Sequence, residues 1–111
     1  MRLVRVGERA VNGVGPLGRV VAANVRLLRL GRGWSQRELG ERMAGAGRRL
    51  SEVSVNKLEA AADAGAPRFR HVDVDDLVVL ARVFEVEPVM LLQPLEVRTV
   101  VEVAGWAGTR R

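Results

Sequence analysis

Two groups of residues have the types and spacing of a chemical site. Gly13-Val14-Gly15-Pro16-Leu17-Gly18 spells G-x-G-x-x-G ahead of a helical stretch, which in a dinucleotide-binding unit seats phosphate on a helix N-terminus. The required context is missing: no buried strand precedes the motif, no second parallel strand follows the helix, and Pro16 removes a backbone donor near the phosphates. The glycines read instead as a flexible entry to the first helix. Asp73, Asp75 and Asp76 crowd three carboxylates into four positions. The rest of a calcium-loop spacing is absent, and a helix start accounts for them. Without cysteine, and with His71 as the single histidine, the chain has no thiolate nucleophile, no disulfide framework and no Cys/His metal centre. The expectation is a protein that is not an enzyme and uses no metal or cofactor.

The excess side chain is arginine. Residues 1–70 carry 14 of the 18 basic and 6 of the 13 acidic side chains, a balance of +8, whereas residues 71–111 carry 4 and 7, a balance of −3. A basic half of this kind suits a polyanion, most simply nucleic acid. The plain alternative is a solvated charge imbalance, because 17 of the 18 basic residues are Arg and codon bias alone raises that number. With 111 residues, 48% hydrophobic and 28% charged, the chain is sized for one core burying roughly two-thirds of the unfolded surface. No apolar run reaches the length of a membrane span. Met1-Arg-Leu-Val-Arg-Val lacks the apolar centre of a secretion signal, so a cytoplasmic protein is expected.

Five helices are expected from periodicity and caps. Leu17, Val21, Val25 and Leu28 form one stripe of a helix over 17–32, with Pro16 suited to its first turn and Gly33 to its end. Ser35-Gln36-Arg37-Glu38 is a capping box, so a second helix begins at Gln36 and runs two or three turns past Leu39 and Met43. Ser51 caps a third helix, to about residue 62, with Val55, Leu58 and Ala62 inward. A fourth starts after Asp73 with Leu77, Leu80, Ala81 and Phe84 on its inner face, and a short fifth runs from Pro88 to Pro94. Over 95–103 the apolar residues Leu95, Val97, Val101 and Val103 alternate with polar ones, the pattern of a half-buried strand. Such a strand must pair with a shorter strand over 1–6 or with a second chain.

Val25-Arg26-Leu27-Leu28-Arg29, Gly33-Trp34-Ser35-Gln36-Arg37-Glu38-Leu39 and Ser54-Val55-Asn56-Lys57-Leu58-Glu59, taken in order, resemble the helix-turn-helix family of phage repressors, Cro proteins and xenobiotic-response-element-type bacterial regulators. Val72 through Leu92 resembles that family's fourth and fifth helices. The resemblance implies a mainly α, five-helix lambda-repressor-like DNA-binding domain over 17–93. Outside that span lie an N-terminal arm over 1–16 and, from the alternation above, a strand and basic tail over 94–111, so short terminal β-strands are expected beside the helical domain.

What the resemblance implies about function is a sequence-specific regulator, a repressor before an activator, with the helix that follows Ser51 in the major groove. At about 100° per residue, Val55, Leu58 and Glu59 turn inward, and Val53, Asn56, Lys57 and Ala60 turn out. Asn56 then suits adenine, Lys57 guanine or phosphate, Val53 a thymine methyl and Glu52 cytosine. Gln36 and Arg37 open the second helix at the phosphate backbone. Ser51 and Ser54 lie at the leading end of the third helix, and Arg48, Arg49, Arg68 and Arg70 in the flanking loops are phosphate candidates. For each, a solvated helix face or loop is the competing account. Arg29 and Glu59 match positions that pair beneath the two helices, and Trp34 an apolar core position. The departure from the family is the turn: seven residues, Ala44 to Leu50, separate Met43 from Ser51, leaving the third helix's angle open. The implied partners are a pseudo-palindromic double-stranded operator in the nucleoid and a second copy of the chain. The rival function on the same scaffold is an antitoxin or accessory module that grips a protein partner through the strand over 95–103.

Overall fold

The computed structural model describes residues 13–96 and 98–102. Helix α1 spans Pro16–Arg32, with Pro16 in the first turn, where its missing N–H costs nothing. Gly33 ends it in the left-handed conformation at φ 73°, donating back to the Leu30 carbonyl. Helix α2 spans Gln36–Gly45 and starts where the Ser35 hydroxyl accepts the Glu38 N–H at 3.0 Å. The expected reciprocal half of that box is replaced, because the Glu38 carboxylate accepts from Arg42 one turn on. Helix α3 spans Glu52–Ala60 under a Ser51 cap, two residues shorter than its apolar spacing predicts. Helix α4 spans Val74–Phe84, and the last predicted helix is a 3-10 helix over Pro88–Leu92.

Helices α1 to α4 pool their inward stripes. Val25 and Leu28 of α1, Leu39 and Met43 of α2, Val55 and Leu58 of α3 and Leu80 and Phe84 of α4 are buried together with Leu91. Fully burying each such side chain contributes about 1.5–3 kcal/mol. Trp34 joins this core, its ring stacked on Phe84 with centroids 5.6 Å apart and the Arg42 guanidinium over the same ring, 4.0 Å from its centroid.

The C-terminal expectation is corrected. Residues 98–102 are helical, not part of a strand. The Val100 N–H donates to the Glu96 carbonyl at 3.1 Å, and Arg98 pairs with Glu102 across one turn. A lone strand leaves half of its backbone groups unmet, whereas a helical turn satisfies them internally while Val100 still reaches the core. Among the described residues that stretch offers no sheet edge to a partner. The expected strand over 1–6 lies outside the described residues.

Asn24 anchors the chain leading there. This buried amide on α1 donates to the carbonyls of Leu91 and Gln93, at 3.0 and 2.7 Å, and accepts the Leu95 N–H at 3.2 Å. Three backbone groups that leave the 3-10 helix unmatched are thereby paired.

Candidate nucleic-acid interface

The turn between α2 and α3 decides how α3 is presented. Helix α2 runs two residues beyond Met43, to Gly45, which shortens the expected seven-residue connection to Ala46 through Leu50 before the Ser51 cap. Gly47 takes φ 94° in it, and the Arg48 N–H returns to the Met43 carbonyl at 2.9 Å. The turn then passes so close to α2 that a Cβ on Gly40 would collide with the Leu50 carbonyl oxygen. Gly40 thus sets the separation of the two helices through close backbone approach.

Helix α3 buries Val55, Leu58 and Glu59 and leaves Glu52, Val53 and Asn56 exposed, with Ser54 and Lys57 half-buried. The Ser51 hydroxyl accepts the Ser54 N–H at 3.1 Å, so both serines are engaged in the cap. Val53 is 61% exposed, an apolar side chain standing among polar ones at the leading end of the helix.

Beneath that face lies a connected polar network. Glu59, with 1% of its side chain exposed, receives two hydrogen bonds from Arg29, Nε to Oε2 at 2.6 Å and Nη2 to Oε1 at 3.0 Å. Arg29 also donates to the Trp34 carbonyl, so the pair ties α1, α3 and the entry to α2 together. Gln36 donates to Glu59 Oε1 at 3.2 Å and accepts from Asn56 Nδ2 at 3.2 Å. Asn56 is therefore held at the surface by an amide whose nitrogen reaches the buried carboxylate.

The candidate cations separate into two sets. Arg37 pairs with Glu41 at 3.3 Å on the exposed side of α2, a contact of small energetic weight. Arg48 and Arg70 are committed. Arg48 donates to Asp76 Oδ1 at 2.8 Å and to Asp73 Oδ2 at 2.6 Å, while Arg70 donates to both Asp76 oxygens at 3.1 Å. Arg49 and Arg68 are exposed. Arg49 lines a shallow groove between α2 and α3 together with Arg37, Gly40, Leu50, Ser51 and Glu52.

Asp76 is the site residue that sequence reasoning treated only as a favourable first-turn charge. Its side chain has no exposure. It closes a full capping box with Asp73, accepting the Asp73 N–H at 3.1 Å while Asp73 accepts the Asp76 N–H at 2.7 Å. Burial raises its carboxyl pKa, but hydrogen bonds from Arg48, the Asp73 backbone and Arg70 outweigh that and hold it below the ordinary 3.8. The acidic trio is thus a cap and ion-pair cluster. The D-x-x-D spacing of Asp73 and Asp76 was the available signal for the box; nothing in the spacing named the two arginines.

Arg26 is a further ion pair on the same side, reaching Asp63 with bonds of 2.8 and 3.1 Å and the Glu59 carbonyl at 3.0 Å. The Asp63 hydrogen bond raises the Arg26 pKa, and the same bond lowers that of Asp63. It secures the end of α3 against α1.

No family model, curated protein or solved structure matches this chain. Among the described residues no helix is long and apolar enough to cross a membrane.

Proposed function

We propose that this protein is a sequence-specific, double-stranded DNA-binding regulator, a repressor before an activator, that docks α3 in the major groove. The observation carrying this reading is the uncovered face of α3: Glu52, Val53 and Asn56 stand exposed on a short helix whose opposite face is packed into the core. That face combines an amide for adenine, a carboxylate for cytosine and an apolar group for a thymine methyl. Lys57 and Arg49 supply positive charge beside it, Arg68 adds an exposed cation in the loop after α3, and Gln36 and Arg37 at the start of α2 supply donors for the phosphate backbone. Glu52 needs a base donor opposite it, because a carboxylate among phosphates is otherwise unfavourable.

The protein acts as a homodimer in the nucleoid, on a pseudo-palindrome whose half-sites are about one helical turn apart, near 10 base pairs. The basic balance of residues 1–70 provides the sequence-independent part of the affinity. Selection of duplexes from a random pool by the full chain tests the reading, with the salt dependence then measured on the winner and on scrambled DNA. An enriched inverted repeat supports both specific readout and dimeric docking. Weak, salt-sensitive binding with no preferred sequence would overturn the regulator reading and favour a protein-binding module on the same scaffold.

A further inference from the structure

We infer that Asp76 is the positioning residue for α3: one buried carboxylate grips the chain on both sides of that helix and so sets how Glu52, Val53 and Asn56 are presented. The purpose of that presentation rests on the DNA reading above; the grip itself does not.

With 9 residues, α3 is too short to hold itself, since isolated helices below about 12–15 residues are marginal in water. Its orientation is therefore set by the core packing of Val55 and Leu58, by Glu59 on Arg29, and by what holds its two ends. On the N-terminal side the chain turns through Ala46 to Leu50, and Arg48 in the middle of that turn donates to Asp76 Oδ1 at 2.8 Å. On the C-terminal side a loop returns along the helix. There Arg70 donates its backbone N–H to the Lys57 carbonyl at 2.9 Å and its guanidinium to both Asp76 oxygens at 3.1 Å. The carboxylate is itself immobilised by the Asp73 N–H at the start of α4. Charge-assisted hydrogen bonds to a carboxylate without solvent exposure are short and directional. The turn before α3 and the loop after it, through arginines 28 and 6 residues from Asp76, therefore meet at one carboxylate, and α3 between them has little freedom to tilt. The same bonds take Arg48 out of the set of cations available to phosphate.

The test uses the full chain with Asp76→Asn and Arg48→Met, the selected duplex and a scrambled duplex of equal length. Both variants are expected to lower the selected-to-scrambled affinity ratio by about tenfold, the effect of one mismatched base pair. Binding to scrambled DNA should stay within about twofold of the parent, with its salt slope unchanged. Amide hydrogen exchange should quicken across α3 but not in the centre of α1. If Asp76→Asn does not fold, Arg48→Met and Arg70→Met carry the test. A ratio at the parent value overturns the positioning role even where α3 exchanges faster, because the grip then serves stability and not readout. An equal loss on both duplexes with a salt slope smaller by about one also overturns it, making Arg48 a phosphate contact. If the parent protein enriches no duplex, the DNA reading fails separately. Exchange then decides the grip: faster in α3 supports it, unchanged overturns it.

Discussion

Arg29 meets Glu59 edge-on, with two hydrogen bonds of 2.6 and 3.0 Å joining α1 to α3 beneath the exposed face of α3. The geometry is bidentate and Glu59 is almost fully buried. Removing one partner therefore leaves a buried charge unpaired, while removing both leaves none.

Arg29→Met and Glu59→Met should each cost about 3–5 kcal/mol of stability. Replacing both residues with Met should restore much of that loss. Urea denaturation of the two single variants and the double variant checks it through the coupling between the sites. Additive losses would mean that the two residues act independently.

Gly40→Ala should destabilise by about 1–3 kcal/mol, because its Cβ meets a backbone carbonyl that cannot rotate away. Gly45→Ala is the matched control on the same helix, with open space around its Cβ. It should be neutral or stabilising by up to about 1 kcal/mol. Thermal unfolding of the pair separates a steric effect from general helix propensity, which favours alanine at both positions.

Asn24→Ala should release the chain beyond the 3-10 helix. Two carbonyls and one N–H lose their partner, each at about 1–3 kcal/mol where it stays buried. In amide exchange, Leu95 should lose protection first, with α2 and α3 unaffected. Retained protection at Leu95 would place its anchor elsewhere.

Asp76 predicts the acid limb of stability. The folded carboxyl lies below its ordinary 3.8, so its contribution is full above that value and is lost as pH falls through the folded value. The groups facing it are Arg48, Arg70 and the neighbouring Asp73, with Asp75 beyond Arg48. The arginines remain charged throughout this range, so carboxylate protonation alone drives the change. Denaturant midpoints from pH 7 to pH 2 should fall less steeply for Asp76→Asn than for the parent chain, from a lower starting value.

Asn56→Ala should relax preference at one base pair of the selected duplex by about 1–3 kcal/mol. Gln36→Ala should weaken the same preference less, since it removes the support under Asn56 and leaves the Asn56 amide in place. A Lys57→Ala variant distinguishes base from backbone contact: loss at one position marks a base, whereas uniform loss with a flatter salt dependence marks a phosphate.

Local chemistry already written in the chain accounts for α1 to α4. Pro16 and Gly33 bracket α1, and Ser35, Ser51 and Asp73 each cap the helix that follows, because a cap needs only neighbours within three residues. The inward stripes and the exposed Val53 and Asn56 follow from helical period alone, and the resemblance added the pairing of Arg29 with Glu59. Period failed at residues 98–102, where alternating apolar residues suit a strand as well as a short helix. There the choice fell to whether Val100 could reach a core that other helices had built. Gly40, Asn24 and the contact of Asp76 with Arg48 were invisible for the same reason. Their roles depend on a carbonyl at Leu50, on backbone 67 to 71 residues away, and on an arginine 28 residues away. Caps and periods are properties of adjacent residues, whereas contacts at such separations exist only after the helices have packed. Thus the surface that α3 exposes was readable along the chain, but the angle at which it is held was set by packing.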